Sequence, residues 1–336
     1  MIWLPRWFLL LLACAANAAA ARLEVLDVPG ATLRGNPLGD PAQRRVAIVT
    51  PDDAKANAAK ALVIYLPGWG GSSEDAISGG SSSWFAGAVE ELARAGIRVR
   101  LAVVDGRSRY GGSQFLNSSA TGRYADYVAD EILPLLKPEP AQRSIIAGHS
   151  SGAYGALLLA SSRRELFHAV VALSPDSDFE VTHKPLVQQP AIRAVKPDDL
   201  EAAVAPVGKA RLPEDGMARL VLGLCANYAP SEGKPGRFEW LYDARGEWRQ
   251  DVWQRWLDLD PLTLVKRRKD AFTPEQRIYL DGAEHDEFGA NIGARKIHEV
   301  LRERKSAVTF SESPGHHSDH LQKRLVRGVK WVLEKR

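Results

Sequence analysis

Two adjacent serines lie in a run of small residues near the middle of the chain. The run is GHSSG, residues 148–152, and it separates the apolar stretch 144–147 from a stretch rich in alanine and leucine. Between a buried strand and a helix, the pattern G-x-S-x-G makes a sharp turn that lifts the central serine above the sheet. Ser150 is therefore a candidate nucleophile. The backbone N–H of Ser151, at the start of the helix, is a candidate donor to an oxyanion.

A serine hydroxyl that attacks a carbonyl needs a base, and the base needs an acid that orients it. Two later loops, each following a predicted strand, carry such groups. The stretch 280–288 offers four acidic residues, which are Asp281, Glu284, Asp286 and Glu287. The stretch 313–320 offers three histidines, which are His316, His317 and His320. Because the carboxyl ends of parallel strands meet at one edge of a sheet, both loops are expected beside Ser150.

A second oxyanion donor is expected from the loop PGWGG, residues 67–71, which follows another apolar run. Its glycines permit close approach of the backbone to a substrate, and the N–H of Trp69 is the best placed donor. The alternative is a glycine-rich turn with no catalytic task.

Elements that could position these groups alternate along the chain. Two leading strands are predicted at 23–26 and 45–49. Continuous apolar runs then predict strands at 61–66, 98–105, 144–147, 169–173, 276–281 and 307–310. Helices are predicted at 84–95, 124–136, 151–162, 293–303 and 320–335. This order indicates an α/β fold with a mostly parallel central sheet and helices on both faces.

Residues 176–274 lack this alternation and hold many prolines. They are predicted to form a cap-like insertion within a single domain of residues 22–336. Four tryptophans fall in the insertion, namely Trp240, Trp248, Trp253 and Trp256. Their rings could line an acyl or aryl pocket, or they could form the insertion's own small core.

The first 21 residues have the pattern of a secretory signal peptide. Arg6 precedes the apolar stretch 7–13, and an alanine-rich segment with an A-x-A ending follows. The prediction is export to the periplasm or the extracellular space, with no membrane span in the mature protein, because the apolar stretch is too short to cross a bilayer. Cys14 could alternatively mark a lipoprotein site. Cys225 is expected to be a buried apolar residue rather than a nucleophile.

Composition adds few constraints. The chain has 44 basic and 41 acidic residues, and its formal net charge is +3. No long basic stripe is evident, so a nucleic-acid partner is not expected. The chemistry described above requires neither a metal nor a cofactor.

Several of these motifs match a known family. The matching pieces are LPGWGG at 66–71, VDG at 104–106, GGSQF at 111–115, AGHSSGAYGAL at 147–157, LFHAVVALSP at 166–175, DEF at 286–288 and PGHH at 314–317. Through them the chain resembles the esterase D and antigen 85-like group of α/β-hydrolases. The resemblance runs from about residue 62 to the C-terminal helix and is weakest across 182–242.

The resemblance implies an α/β-hydrolase fold and roles for three residues. Its D-x-F loop points to Asp286 as the orienting acid, and its P-G-x-H pattern points to His317 as the base, with Ser150 as the nucleophile. Two positions depart from the family pattern. Pro67 stands where histidine is common, and His316 stands where glycine is usual. His316 therefore remains an alternative to His317, and Asp281 remains an alternative to Asp286.

The function expected from these features is hydrolysis of carboxylic esters, on small-molecule or polymer-linked substrates, through an acyl-enzyme on Ser150. Two alternatives remain at this stage. An acyltransferase of the mycolyltransferase type shares the first half-reaction and differs in the acceptor. A non-catalytic binding protein could also use a hydrolase scaffold.

Overall fold

In the computed structural model, which describes residues 20–52, 59, 61–136 and 143–334, the apolar runs form the strands of a large sheet. The strands are β1 (Ala21–Val28), β2 (Arg44–Pro51), β3 (Ala61–Leu66), β4 (Val99–Val104), β5 (Asn117–Ser118), β6 (Gly122–Arg123), β7 (Arg143–His149), β8 (Ala169–Leu173), β9 (Arg277–Ala283) and β10 (Ala307–Ser313). Residues 1–19, which include most of the predicted signal peptide and Cys14, lie outside the described residues.

The large sheet has eight strands in the order β1-β2-β4-β3-β7-β8-β9-β10, while β5 and β6 form a separate antiparallel pair. The two leading strands are antiparallel to their neighbours, and the other six run parallel to one another. Every residue of β3 and β8 is buried, which is why these strands read as continuous apolar runs. The predicted α/β fold with a mostly parallel sheet is confirmed.

Fourteen α-helices occur in the described part of the chain. They are α1 (Glu74–Gly79), α2 (Trp84–Arg94), α3 (Tyr124–Asp126), α4 (Leu133–Leu136), α5 (Ser151–Ser162), α6 (Phe179–Thr182), α7 (Lys184–Val187), α8 (Pro190–Arg193), α9 (Pro197–Ala203), α10 (Gly216–Tyr228), α11 (Gln250–Asp258), α12 (Pro261–Arg267), α13 (Ala290–Glu303) and α14 (Leu321–Leu333).

One predicted helix differs from the structure. Residues 124–136 form α3 and α4 with a π-helical turn, Tyr127–Ile132, between them. Pro134 lies in this segment and has no N–H with which to continue the α-helical hydrogen-bond pattern. A hydrophobic pattern alone does not predict this break.

Helices cover both faces of the sheet. One core cluster packs α5 and α13 against one face, and a second packs α2 and α14 against the other. The segment 176–274 carries α6 to α12 and has a third cluster, in which Trp253 and Trp256 are fully buried. These two rings pack in that cluster and do not line the cavity described below. No helix in the described ranges is long and apolar enough to cross a membrane.

Candidate active site

Ser150 lies in a sharp turn between β7 and α5. Its backbone has φ 55° and ψ −124°, a conformation that is costly for a residue with a side chain. The N–H of Ser150 donates to the carbonyl of Leu173 at 3.0 Å, which ties the turn to the end of β8. Strain of this kind costs on the order of 1–3 kcal/mol and persists only where the surroundings enforce it.

The two flanking glycines are required by close packing. A Cβ on Gly152 would lie 1.9 Å from the carbonyl oxygen of Leu66, at the end of β3. A Cβ on Gly148 would lie 2.4 Å from the backbone of Gly152 itself. No heavier side chain fits at either position, so the sequence pattern reflects the contact between the turn and the neighbouring strand.

His317 and Asp286 form a buried hydrogen-bonded pair. The distance from His317 Nδ1 to Asp286 Oδ2 is 2.8 Å, and the side chains are 5% and 0% exposed. The other carboxylate oxygen of Asp286 accepts from the N–H groups of Phe288 and Ala290 at 3.1 and 3.3 Å. Burial raises the pKa of Asp286, but the hydrogen bond and charge of His317 outweigh it, so the pKa lies below its usual value.

His316 and Asp281, the alternatives for the base and the acid, do not take part in this pair. The side chain of His316 is 68% exposed and lies 3.8 Å from Glu287. Asp281 is buried and accepts from Arg324 Nε at 2.6 Å and from Ser313 Oγ at 3.0 Å. Burial raises the pKa of Asp281 despite the opposing charge of Arg324. The structure therefore brings His317 and Asp286 together and gives Asp281 a buried ion pair instead.

Arg324 on α14 connects several parts of the site. It is 1% exposed, and its guanidinium donates to the carbonyl of His317 at 2.9 Å and to Ser174 Oγ at 2.7 Å, as well as to Asp281. It thus fixes the loop that carries His317 to the ends of β8 and β9. Sequence reasoning missed this residue because an arginine on a helix normally indicates an exposed face.

His149 precedes the nucleophile and holds the same loop from the other side. Its Nε2 lies 3.1 Å from the carbonyl of His317, and the two rings are 4.7 Å apart. Burial, followed by the charge of His317, lowers the pKa of His149 to about 3. The imidazole is therefore neutral, and its hydrogen bond goes to the backbone of the His317 loop.

Ser150 and His317 line one cavity of about 390 Å³. The Ser150 hydroxyl donates to Asp176 Oδ1 at 3.4 Å. His317 Nε2 is buried and has no hydrogen-bond partner among the residues that the structure describes. Among the described residues, Ser150 Oγ and His317 Nε2 therefore form no hydrogen bond with each other, and catalytic hydrogen bonds often form only when substrate is bound.

The loop 67–71 packs directly against the nucleophile. A Cβ on Gly68 would lie 3.3 Å from the Ser150 Cβ, and Trp69 lines the same cavity. Ser151 is the first residue of α5, where backbone N–H groups have no acceptor within the helix. Both candidate oxyanion donors therefore belong to segments next to Ser150.

A family model decides the class of protein. The model described as "Putative esterase" matches residues 42–325. The chain belongs to this esterase family. Membership confirms the predicted resemblance and the predicted enzyme class, a serine hydrolase that acts on carboxylic esters.

Solved structures similar to this esterase share its fold at low sequence identity. The fluorophosphonate-binding serine hydrolase FphF of Staphylococcus aureus aligns over 94% of this chain and 99% of its own, with TM-score 0.57 and 13% identity. A ferulic acid esterase aligns over 93% and 97%, with TM-score 0.57 and 13% identity. An S-formylglutathione hydrolase from Agrobacterium tumefaciens aligns over 94% and 95%, with TM-score 0.55 and 16% identity. Among curated proteins, none matches the sequence significantly.

The cavity of the esterase also contains groups that the sequence reasoning did not select. Asp176 and His183 line it close to Ser150, and both follow β8. A carboxylate directly after a serine–proline pair at a strand end was the available signal. Cys225 is buried, as expected, and burial raises the pKa of its thiol. In the described ranges, no cluster of three or more His, Cys, Asp or Glu side chains could hold a metal ion.

Proposed function

We propose that this esterase is an exported carboxylesterase that works through an acyl-enzyme on Ser150. The observation that carries the proposal is the 2.8 Å hydrogen bond between His317 Nδ1 and Asp286, with His317 and Ser150 on one cavity. Because Asp286 accepts the proton on Nδ1, the lone pair of neutral His317 is on Nε2, the atom left without a partner in the described residues.

In the first half-reaction, Ser150 Oγ attacks the ester carbonyl carbon while its proton passes to His317 Nε2. The tetrahedral oxyanion accepts hydrogen bonds from the N–H groups of Trp69 and Ser151. The imidazolium that forms is stabilised by ionised Asp286, whose lowered pKa keeps it a carboxylate. The carbon–oxygen bond to the alcohol then breaks, and the alcohol leaves with the proton from His317.

In the second half-reaction, water gives a proton to His317 Nε2 and its oxygen attacks the acyl carbon. Collapse of the second tetrahedral intermediate returns the proton to Ser150 Oγ and releases the carboxylic acid. An alcohol that attacks in place of water would give acyl transfer by the same steps.

Export rests on the sequence of residues 1–21, with its positive start, short apolar stretch and alanine-rich end. Expression of the full chain with its leader, followed by cell fractionation and N-terminal sequencing of the product, tests this part. Intact protein retained in the cytoplasm would contradict it.

The catalytic part is tested with a series of p-nitrophenyl esters from acetate to a long acyl chain, together with labelling by a fluorophosphonate probe. The wild type should hydrolyse at least one ester and should be labelled, whereas Ser150→Ala should lose both properties. Ser151→Ala is the matched control, because it removes a neighbouring hydroxyl and keeps the backbone N–H. Labelling that persists in Ser150→Ala would refute Ser150 as the nucleophile, whereas an inert wild type would favour a binding protein.

A further inference from the structure

Asp176 lies beside the nucleophile and takes no part in the steps above. Its side chain is 16% exposed, and its Oδ1 is 3.4 Å from Ser150 Oγ. Its Oδ2 accepts from Gln114 Nε2 at 3.1 Å. Gln114 has φ 52°, so a strained backbone position supports the side chain that fixes this carboxylate.

A second acceptor points toward the same place. His183 is 5% exposed, and its ring stacks on that of Phe179 with the ring centroids 4.2 Å apart. Its Nδ1 lies 3.1 Å from Thr182 Oγ1, whose hydroxyl donates to the carbonyl of Ser177. Thr182 is therefore the acceptor for an Nδ1–H, which leaves the lone pair of His183 on Nε2.

His183 Nε2 is unsatisfied and faces Asp176. It has no hydrogen-bond partner among the described residues, and it lies 4.0 Å from Asp176 Oδ2. Burial lowers the pKa of His183, which keeps the ring neutral and Nε2 an acceptor. Two acceptors on a cavity wall, one of them buried without a donor, call for a donor from the ligand.

The charges of the cavity agree with this requirement. Asp75 and Asp176 are the charged residues that line it, and within the described residues no lysine or arginine does so. Asp75 already accepts from the N–H of Ser72 at 2.8 Å. An acyl group that carries a carboxylate would therefore meet repulsion, while a hydroxyl or an ammonium group would be attracted.

We propose that Asp176 and His183 form a subsite for a hydrogen-bond donor, a hydroxyl or an ammonium, carried on the carbon next to the ester carbonyl. The inference rests on the proposed function, because attack by Ser150 fixes where the carbonyl lies. A carbonyl carbon poised for attack is about 3–3.5 Å from the nucleophilic oxygen. Since Asp176 Oδ1 is 3.4 Å from that oxygen, a donor on the adjacent carbon reaches the carboxylate.

The test compares methyl butyrate, methyl 2-hydroxybutyrate and methyl 2-aminobutyrate at neutral pH, with kcat/KM measured by titration of the acid released. The readout is the ratio of kcat/KM for each substituted ester to that for methyl butyrate. This ratio is compared between the wild type and Asp176→Asn, so that intrinsic differences in ester reactivity cancel. Hydrogen bonds to charged groups predict that the ratio falls about 10- to 100-fold in Asp176→Asn, most for the amino ester.

Asp75→Asn is the matched control, because it removes the other carboxylate of the same cavity and leaves Asp176 and His183 in place. Its ratio for the hydroxy ester should equal that of the wild type, and its ratio for the amino ester should fall less than in Asp176→Asn, because only a charge without a hydrogen bond to the ligand is removed. Equal ratios in the wild type and in Asp176→Asn would overturn the proposal, and so would an equal fall in Asp75→Asn. If the enzyme hydrolyses methyl butyrate but Asp176→Asn leaves the ratios unchanged, the subsite alone is rejected. If Ser150 does not react with the fluorophosphonate probe, the proposed function itself is rejected.

A measurement on the wild type covers the case in which Asp176→Asn does not fold. Butyramide and 2-aminobutyramide are compared as competitive inhibitors of p-nitrophenyl butyrate hydrolysis. The subsite predicts that 2-aminobutyramide binds at least about 10-fold more tightly. Equal inhibition constants would contradict it.

Discussion

Replacing Asp281 and Asp286 by asparagine, one at a time, separates two carboxylates that occur five residues apart. Asp286 holds His317, while Asp281 holds Arg324 in the protein interior. The same chemical change should therefore reduce catalysis at Asp286 and the stability of the fold at Asp281.

The size of each effect follows from the contacts. Asp286→Asn removes the acceptor that fixes the His317 tautomer, a change that lowers kcat by about 10⁴-fold in a triad, or ~5 kcal/mol of transition-state stabilisation. Asp281→Asn leaves the charge of Arg324, which is 1% exposed, without its ion-pair partner. Breaking such a buried pair costs about 3–5 kcal/mol of unfolding free energy.

The assay measures kcat on p-nitrophenyl butyrate at saturating substrate, together with thermal unfolding of each variant. Asp286→Asn should unfold close to the wild-type temperature and lose most of kcat. Asp281→Asn should unfold about 5–15 °C lower and keep kcat within about tenfold at a temperature where it is folded. Loss of kcat in Asp281→Asn at unchanged stability, with an active Asp286→Asn, would refute the reasoning and make Asp281 the acid.

Three further predictions use other parts of the structure. Gly152→Ala should lower both the unfolding temperature and kcat, because its Cβ would lie 1.9 Å from the carbonyl of Leu66, whereas Gly216→Ala, with nothing within 4 Å, should leave both unchanged in the same assays. His149 is neutral in the folded state, with a pKa of about 3, but titrates near 6.5 when unfolded. The free energy of unfolding that depends on neutral His149 is therefore complete above about pH 6.5. It declines as the pH falls toward 3, by up to ~1.4 kcal/mol per pH unit. Urea unfolding at several pH values should accordingly show a shallower acid decline in His149→Gln, and an identical slope would contradict this. Cys225, buried with a raised pKa, should resist a thiol reagent in the native protein and react in urea, as peptide mass spectrometry would show; rapid native labelling would contradict its burial.

The sheet and the nucleophile turn could be predicted because their signals are local. Strands buried on both faces read as apolar runs, and the small residues around Ser150 record one close contact with β3. The choice between neighbouring candidates could not be made in this way. His316 and His317 are adjacent, and their burial is opposite because Arg324 and His149 both bind the carbonyl of His317.

The segment 176–274 was the least predictable part for a different physical reason. Its helices α6, α7 and α8 have four residues each, which is too short for a helical hydrophobic period to emerge. No sequence pattern therefore indicates that Asp176 and His183 lie close to each other. Their relation to Ser150 depends on how the segment folds back over the end of β8.

The contacts of Arg324 have a consequence for the order in which the protein matures during synthesis. His149 and the carbonyl of His317 that it binds are 168 residues apart, and the arginine that clamps this carbonyl comes later still, on α14. A chain emerging from the ribosome can form the turn at Ser150 while its base does not yet exist. We therefore expect the serine of the nascent chain to be inert until His317 has been synthesised and α14 has docked onto the finished sheet.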